Sequence, residues 1–131
     1  MKTEYNPSEY LHKDKIFAII GICMAVHRTL GHGFLEIVYK DAIEIELRKK
    51  PIEFCREKDY NIDYNGIILP YNFYADFVLF DKIILEVKTA KGGLADDQIA
   101  QTINYLKVSG CKIGLLVNFG RGKLKYRRLI F

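Results

Sequence analysis

The 131-residue chain has no apolar run long enough to cross a bilayer, which needs about 20 residues. Its most apolar stretch, Ile16 to Val26, is about half that length and lacks a small-residue cleavage signature, so it reads as neither a membrane span nor a secretory signal. Cysteine is scarce. Cys23, Cys55 and Cys111 are odd in number, widely spaced and set among apolar residues, which argues against a disulfide framework and a zinc cluster and predicts reduced core thiols. Cys23 and His27 stand four apart on a predicted helix, but no second pair supplies further metal ligands; His12 and His32 have no partner at a recognisable spacing. No low-complexity segment occurs, and 27% charged with 50% hydrophobic residues describes an ordinary globular chain. The length allows one domain with a real core and no separate binding module. A cytoplasmic location without membrane contact is expected.

Acidic residues are missing from the last eleven positions, which carry Arg121, Lys123, Lys125, Arg127 and Arg128. The net charge is only +4, so the basic tail matters by its placement rather than by total charge. Arg121, Lys123, Lys125 and Arg127 alternate with Gly122, Leu124 and Tyr126, so a strand here would present one basic and one partly apolar face. Phosphate contact is one use of such a face; deterring edge-to-edge aggregation is another.

Against this background, Tyr74 to Ala90 is the informative stretch. It reads as two apolar strands around a tight turn at Asp81-Lys82, apolar on both pleat faces as in a sheet covered on both sides. Asp76, Glu86 and Lys88 interrupt it, although an unpaired buried charge costs several kcal/mol. Glu86 and Lys88, two apart, point the same way. A strict two-residue loop would put Asp76 on the opposite face, whereas an odd-length loop or a bulge would let it converge with them, and the odd-length loop or bulge is the expectation. Two carboxylates suit a hard ion such as Mg2+ or Mn2+, and a neighbouring lysine could orient water or offset charge on a phosphate, which together describe phosphodiester hydrolysis. An ordinary cross-strand ion-pair set is the competing reading.

The rest of the chain supplies the frame. Residues 1–13 read as a polar arm and 14–131 as a single domain. Ile16, Ile19, Ile20, Cys23, Val26 and Leu30 recur at helical spacing up to Gly31. A second helix places Tyr39, Ile43 and Leu47 on its core stripe, with Glu36 pointing inward one turn ahead; interaction with the helix dipole would also account for Glu36. Pro51 stops it. Ile52 to Ile68 reads as a hairpin with an Asn65-Gly66 turn, followed by the two strands already described. A helix from about Leu94 to Ser109 buries Ile99, Ile103 and Leu106 and carries Gln98, Gln101 and Tyr105 on a bordering polar stripe, where they either face solvent or meet the site or the nucleic acid. A buried strand, Ile113 to Phe119, and the basic strand finish an α-α-β-β-β-β-α-β-β order, an α/β sandwich with a mixed central sheet flanked by helices.

With these residues located, the chain from about residue 15 onward resembles the GxxExxY family within the PD-(D/E)XK nuclease superfamily. Gly33-Phe34-Leu35-Glu36-Ile37-Val38-Tyr39 fits the family's name, Asp76 the lone acidic position, Glu86-Val87-Lys88 the E-x-K element, and Gln101-Thr102-Ile103-Asn104-Tyr105 a Q-x-x-x-Y helix motif. Gly114 to Gly120 looks like the family's final core strand. Tyr74-Ala75 stands where the superfamily's name expects proline, a minor departure. The resemblance implies a restriction-endonuclease-like fold with Asp76, Glu86 and the backbone carbonyl of Val87 as ligands for Mg2+ or Mn2+. It further implies Lys88 as catalytic lysine, Glu36 as an added carboxylate reaching the metal or its water, and Gln101 and Tyr105 positioning Lys88 or the phosphate. The expected activity is a metal-dependent nuclease, acting on DNA rather than RNA, with Gln98, Arg121, Lys123, Lys125 and Arg127 contacting nucleic acid. A homodimer or a protein partner could supply the grip that a chain this short lacks. A non-catalytic module binding nucleic acid or protein on the same fold is the alternative.

Overall fold

The computed structural model describes residues 12–131, so residues 1–11 of the polar arm lie outside the described residues. Two helices lead. Helix α1 (Lys13–Leu30) buries Ile16, Ile19, Cys23 and Val26 of the predicted stripe, with Ile20 and Leu30 partly buried against them, and stops at Gly31, which takes a positive φ of 67° and donates its N–H to the His27 carbonyl. Helix α2 (Glu36–Lys49) fully buries Tyr39, Ile43 and Leu47 and ends before Pro51 as expected. No helix among the described residues is long and apolar enough to cross a membrane.

Strands β1 (Phe54–Tyr64) and β2 (Ile67–Leu79) form the hairpin around Asn65-Gly66, both at positive φ (52° and 89°), a turn whose twist suits paired strands. The Asp63 carboxylate accepts the Gly66 N–H at 2.7 Å. Sequence patterning predicts two separate strands between Ile67 and Leu79; the chain instead runs through as one. The register slips from Asn61↔Asn72 to Asp63↔Ile68, so β2 carries a bulge around Pro70, where a missing N–H costs the ladder nothing.

Strand β3 (Ile83–Lys88) follows β2 through the three-residue loop Phe80–Lys82, with Leu79↔Ile83 as the closing pair. The loop is odd in length, as expected, and turns on left-handed φ angles at Phe80 and Asp81 (55° and 57°). Helix α3 (Asp96–Ser109) crosses from β3 to β4 (Ile113–Asn118), which lies parallel to β3, and β5 (Lys125–Ile130) returns antiparallel at the edge. The result is a five-stranded mixed sheet in the order β1-β2-β3-β4-β5 flanked by helices.

Both faces are covered, which explains the doubly apolar strands. Helices α1 and α2 pack with Phe77, Leu79, Ile83, Leu85, Val87 and Phe119; the smaller layer under α3 holds Ala75, Val78, Ile84 and Leu106. Two expectations need correction. Thr102 and Leu106 are the buried residues of α3, while Ile99 and Ile103 are half-buried. Thr102 fits because its methyl fills the space above Gly114, where an added Cβ would lie 3.1 Å from Thr102 Cγ2, and its hydroxyl is satisfied by the Gln98 carbonyl. Cys23 and Cys111 are buried free thiols, but Cys55 is exposed because it alternates outward on β1.

Candidate active site

The β2–β3 ladder stops at Phe77↔Leu85, and Asp76 and Glu86 come one step later, opposite each other on one face. Their carboxylates take over from the ladder. Asp76 Oδ2 accepts the Val87 N–H at 2.8 Å, and Glu86 Oε2 accepts the Asp76 N–H at 3.2 Å. Both residues are buried, at 8% and 2% exposure. Burial, and then the Asp76 carboxylate beside it, pushes the Glu86 carboxyl up to about 9, while Lys88 pulls it the other way.

An irregularity in β1 opens this corner. Glu57 stands between the pairs Arg56↔Phe77 and Lys58↔Ala75, opposite Asp76, and has a left-handed φ of 54°. Before it, Arg56 lies over Phe77 and bonds Asp41 of α2 at 2.7 Å; after it, Tyr60 packs into the layer under α3. A regular strand would keep Arg56 and Tyr60 on one face, so the chain changes faces at Glu57. Asp76 thereby sits where groups from both helical layers can reach it.

From the α2 side comes Lys40, which is 7% exposed and donates to Asp76 Oδ1 at 3.0 Å and to Glu57. Its ammonium is held protonated above its ordinary range by those two carboxylates, against the opposing effect of burial. Neither Lys40 nor Glu57 was anticipated. The available signal was spacing: Lys40 follows Glu36 by four residues, so both lie on one side of α2. Glu36 begins that helix, half-buried, and burial first, then Asp76, raises its carboxyl while Lys88 and Lys40 oppose. The preceding loop turns at Gly33, φ 106°, and is tied by Tyr39, whose hydroxyl donates to the Gly31 carbonyl at 2.7 Å while its ring stacks on Phe119 at 4.4 Å. The spacing of Gly33, Glu36 and Tyr39 therefore has a structural basis: a turn, an inward carboxylate and an anchor.

From the α3 side comes Tyr105. Its ring stacks on Phe73 at 4.3 Å and 6°, and Phe73 stacks in turn on Tyr60. Burial, then Glu86 and Asp76, raise its hydroxyl, while a hydrogen bond with Gln101 opposes. The field of the two carboxylates reaches Tyr105, and Gln101 is joined to the site through it. Lys88 continues the face of Glu86 at the end of β3, half-buried.

The other expected contacts stand apart. Gln98 Oε1 accepts the Ala95 N–H at 3.0 Å and so caps α3. Arg121 and Lys123 precede β5 instead of lying on it, leaving Lys125 and Arg127, both exposed, as the strand's members of the basic series. Gly122 breaks the alternation with φ 67°. His27 Nε2 lies 2.9 Å from the Gly122 carbonyl, and burial raises the Cys23 thiol to about 12.

Among the described residues no three His, Cys, Asp or Glu side chains form a ready-made ion site. The donor set nevertheless fits a hard divalent ion: two facing buried carboxylates, one of them raised by burial and then by the other, with the Val87 carbonyl adjacent in the chain. Such an ion keeps several waters, so two carboxylates suffice.

A family model described as the PD-(D/E)XK nuclease superfamily matches residues 13–129. No curated protein matches the chain. The fold is similar to the crystal structure of SSO0001, at 17% identity and a TM-score of 0.55, over 71% of this chain and 48% of that one.

Proposed function

The chain belongs to the PD-(D/E)XK nuclease superfamily, and from that membership we propose that it is a metal-dependent nuclease, of the GxxExxY type, cleaving phosphodiester bonds of DNA in preference to RNA. The observation that carries this reading is the meeting of Asp76 and Glu86 where β2 and β3 part, with Lys88 on the same face. Asp76, Glu86 and the Val87 carbonyl would hold Mg2+ or Mn2+, with Glu36 at its water; when bound, the ion polarises the phosphate and lowers the pKa of the attacking water. Lys88 orients that water and offsets charge developing on the phosphate. Tyr105, its hydroxyl raised by burial and then by the carboxylates, is a hydrogen-bond donor for the phosphate or for Lys88, and Gln101 holds its hydroxyl. Lys40 fixes the Asp76 carboxylate from behind.

The alternative, a non-catalytic module binding nucleic acid or a protein, draws on the same lysine, since Lys40 neutralises Asp76 without any ion. Cleavage assays decide between them. Labelled DNA and RNA, linear and circular, single and double stranded, are incubated with Mg2+ or Mn2+ and either wild type or Asp76→Ala. Cleavage by the wild type alone supports the nuclease and names its substrate. Equal cleavage by both is contamination, and binding without cleavage by either favours the alternative.

A further inference from the structure

Beyond the carboxylate corner, the loops that leave β3 and β4 enclose a second cavity of about 230 Å3, lined by Lys91, Gly92 and Gly93 on one side and Arg121 and Lys125 on the other. It begins two residues after Lys88, and no acidic side chain lines it.

The walls are built to stay in place. Asn118, 4% exposed, accepts the N–H groups of Ala90 and Gly120 on its Oδ1, each at 2.9 Å, and donates from Nδ2 to the Ala90 carbonyl at 2.9 Å. The loops approach so closely that a Cβ on Gly120 would come within 2.2 Å of the Ala90 carbonyl oxygen. Gly93, φ 91°, closes its turn by donating to that carbonyl, and His27 holds the Gly122 carbonyl from α1. Arg121 is thus carried between two anchored glycines and lines the same cavity as Lys91 and Lys125. Three cations brought together on clamped backbone repel one another unless an anion joins them.

We infer that this cavity is a phosphate-binding subsite, holding a phosphate group of the nucleic acid next to the one that is cut. The choice of ligand rests on the nuclease reading. Arg121 offers a planar fork matched to phosphate oxygens, and Lys91 and Lys125 add point charges. The phosphate comes either from a strand terminus or from the backbone.

The test measures binding, not turnover, on a Lys88→Ala background. Fluorescence anisotropy follows single-stranded DNA ending in 5′-phosphate or 5′-hydroxyl, and a circular strand, against protein carrying Lys91→Gln, Arg121→Gln and Lys125→Gln. A charge-matched control carries Lys50→Gln, Lys82→Gln and Lys112→Gln at exposed positions outside the cavity. The subsite variant is expected to bind roughly tenfold more weakly or worse and to lose about two units of salt slope, with the control losing far less. A 5′-phosphate preference that vanishes in the variant assigns a terminal phosphate; equal losses on all three strands assign an internal one. Equal weakening by variant and control, or no binding to any strand by the Lys88→Ala parent, overturns the subsite. Subsite-dependent binding by a wild type that cleaves nothing would instead retire the nuclease reading and leave the subsite standing.

Discussion

Asp76 and Glu86 each accept a hydrogen bond from the backbone of the other's strand, so the two carboxylates lace β2 to β3 at the point where the ladder ends. They are buried together with the same charge sign, and their properties depend on which cation is near.

The proton on Glu86 makes stability depend on pH. A carboxyl whose folded pKa lies above its unfolded value binds its proton more tightly in the native state, so that stabilisation is complete below the ordinary carboxylate range and drains away as pH climbs toward about 9. Metal-free protein should therefore melt progressively lower between about pH 5 and pH 9, and Glu86→Gln should flatten that slope and melt higher at the alkaline end. Thermal scans across this range check it; a wild-type melting temperature that is level with pH would contradict it.

Divalent ions should displace that proton. Mg2+ or Mn2+ binding near neutral pH is expected to release close to one proton and to strengthen as pH rises. Calorimetry in buffers of different ionisation enthalpy counts it, and Asp76→Asn should abolish both the heat of binding and the release.

Lys40→Met should destabilise the metal-free fold by about 3 kcal/mol, because it leaves Asp76 buried without its cation and Glu57 without its partner. Part of that loss should return on adding Mg2+. Denaturant titration with and without the ion measures both; a variant as stable as wild type would mean that Lys40 is incidental.

Lys88→Ala should reduce cleavage by at least about a hundredfold, since a charge aimed at the transition state is removed, and should leave far-UV circular dichroism and melting close to wild type. Retained turnover would take the catalytic role away from this lysine.

Asn118→Ala is expected to cost about 2 kcal/mol, as the Ala90 and Gly120 N–H groups lose their acceptor and the Ala90 carbonyl keeps only the Gly93 N–H. The effect should appear as faster amide exchange at Ala90 and Gly120; unchanged exchange there would show that the loops hold without the clamp.

Much of this arrangement was legible in the residue order, for local reasons. Periodicity is a property of consecutive residues, so the stripes Ile16, Ile19, Cys23 and Tyr39, Ile43, Leu47 announced α1 and α2, Gly31 and Pro51 announced their ends, and Gly110 that of α3. The cost of burying Asp76, Glu86 and Lys88 among apolar neighbours marked the carboxylate corner, and the alternation of faces demanded the odd-length loop that Phe80–Lys82 supplies. Tertiary structure decided the rest, because the remaining features join residues far apart in the chain. The face switch at Glu57 exists only in relation to β2, and it is what lets Lys40 reach Asp76 from another layer. The strand on either side of Pro70 reads as two until the bulge between Ile68 and Asn72 joins them. Cys55 resembles a core thiol until the pleat turns it outward, and Asn118 looks like one more strand residue until Ala90 and Gly120 come within reach of its amide. Local patterning is written in side-chain chemistry along the chain, whereas a shared hydrogen bond or a common cavity depends on where the sheet brings distant segments together.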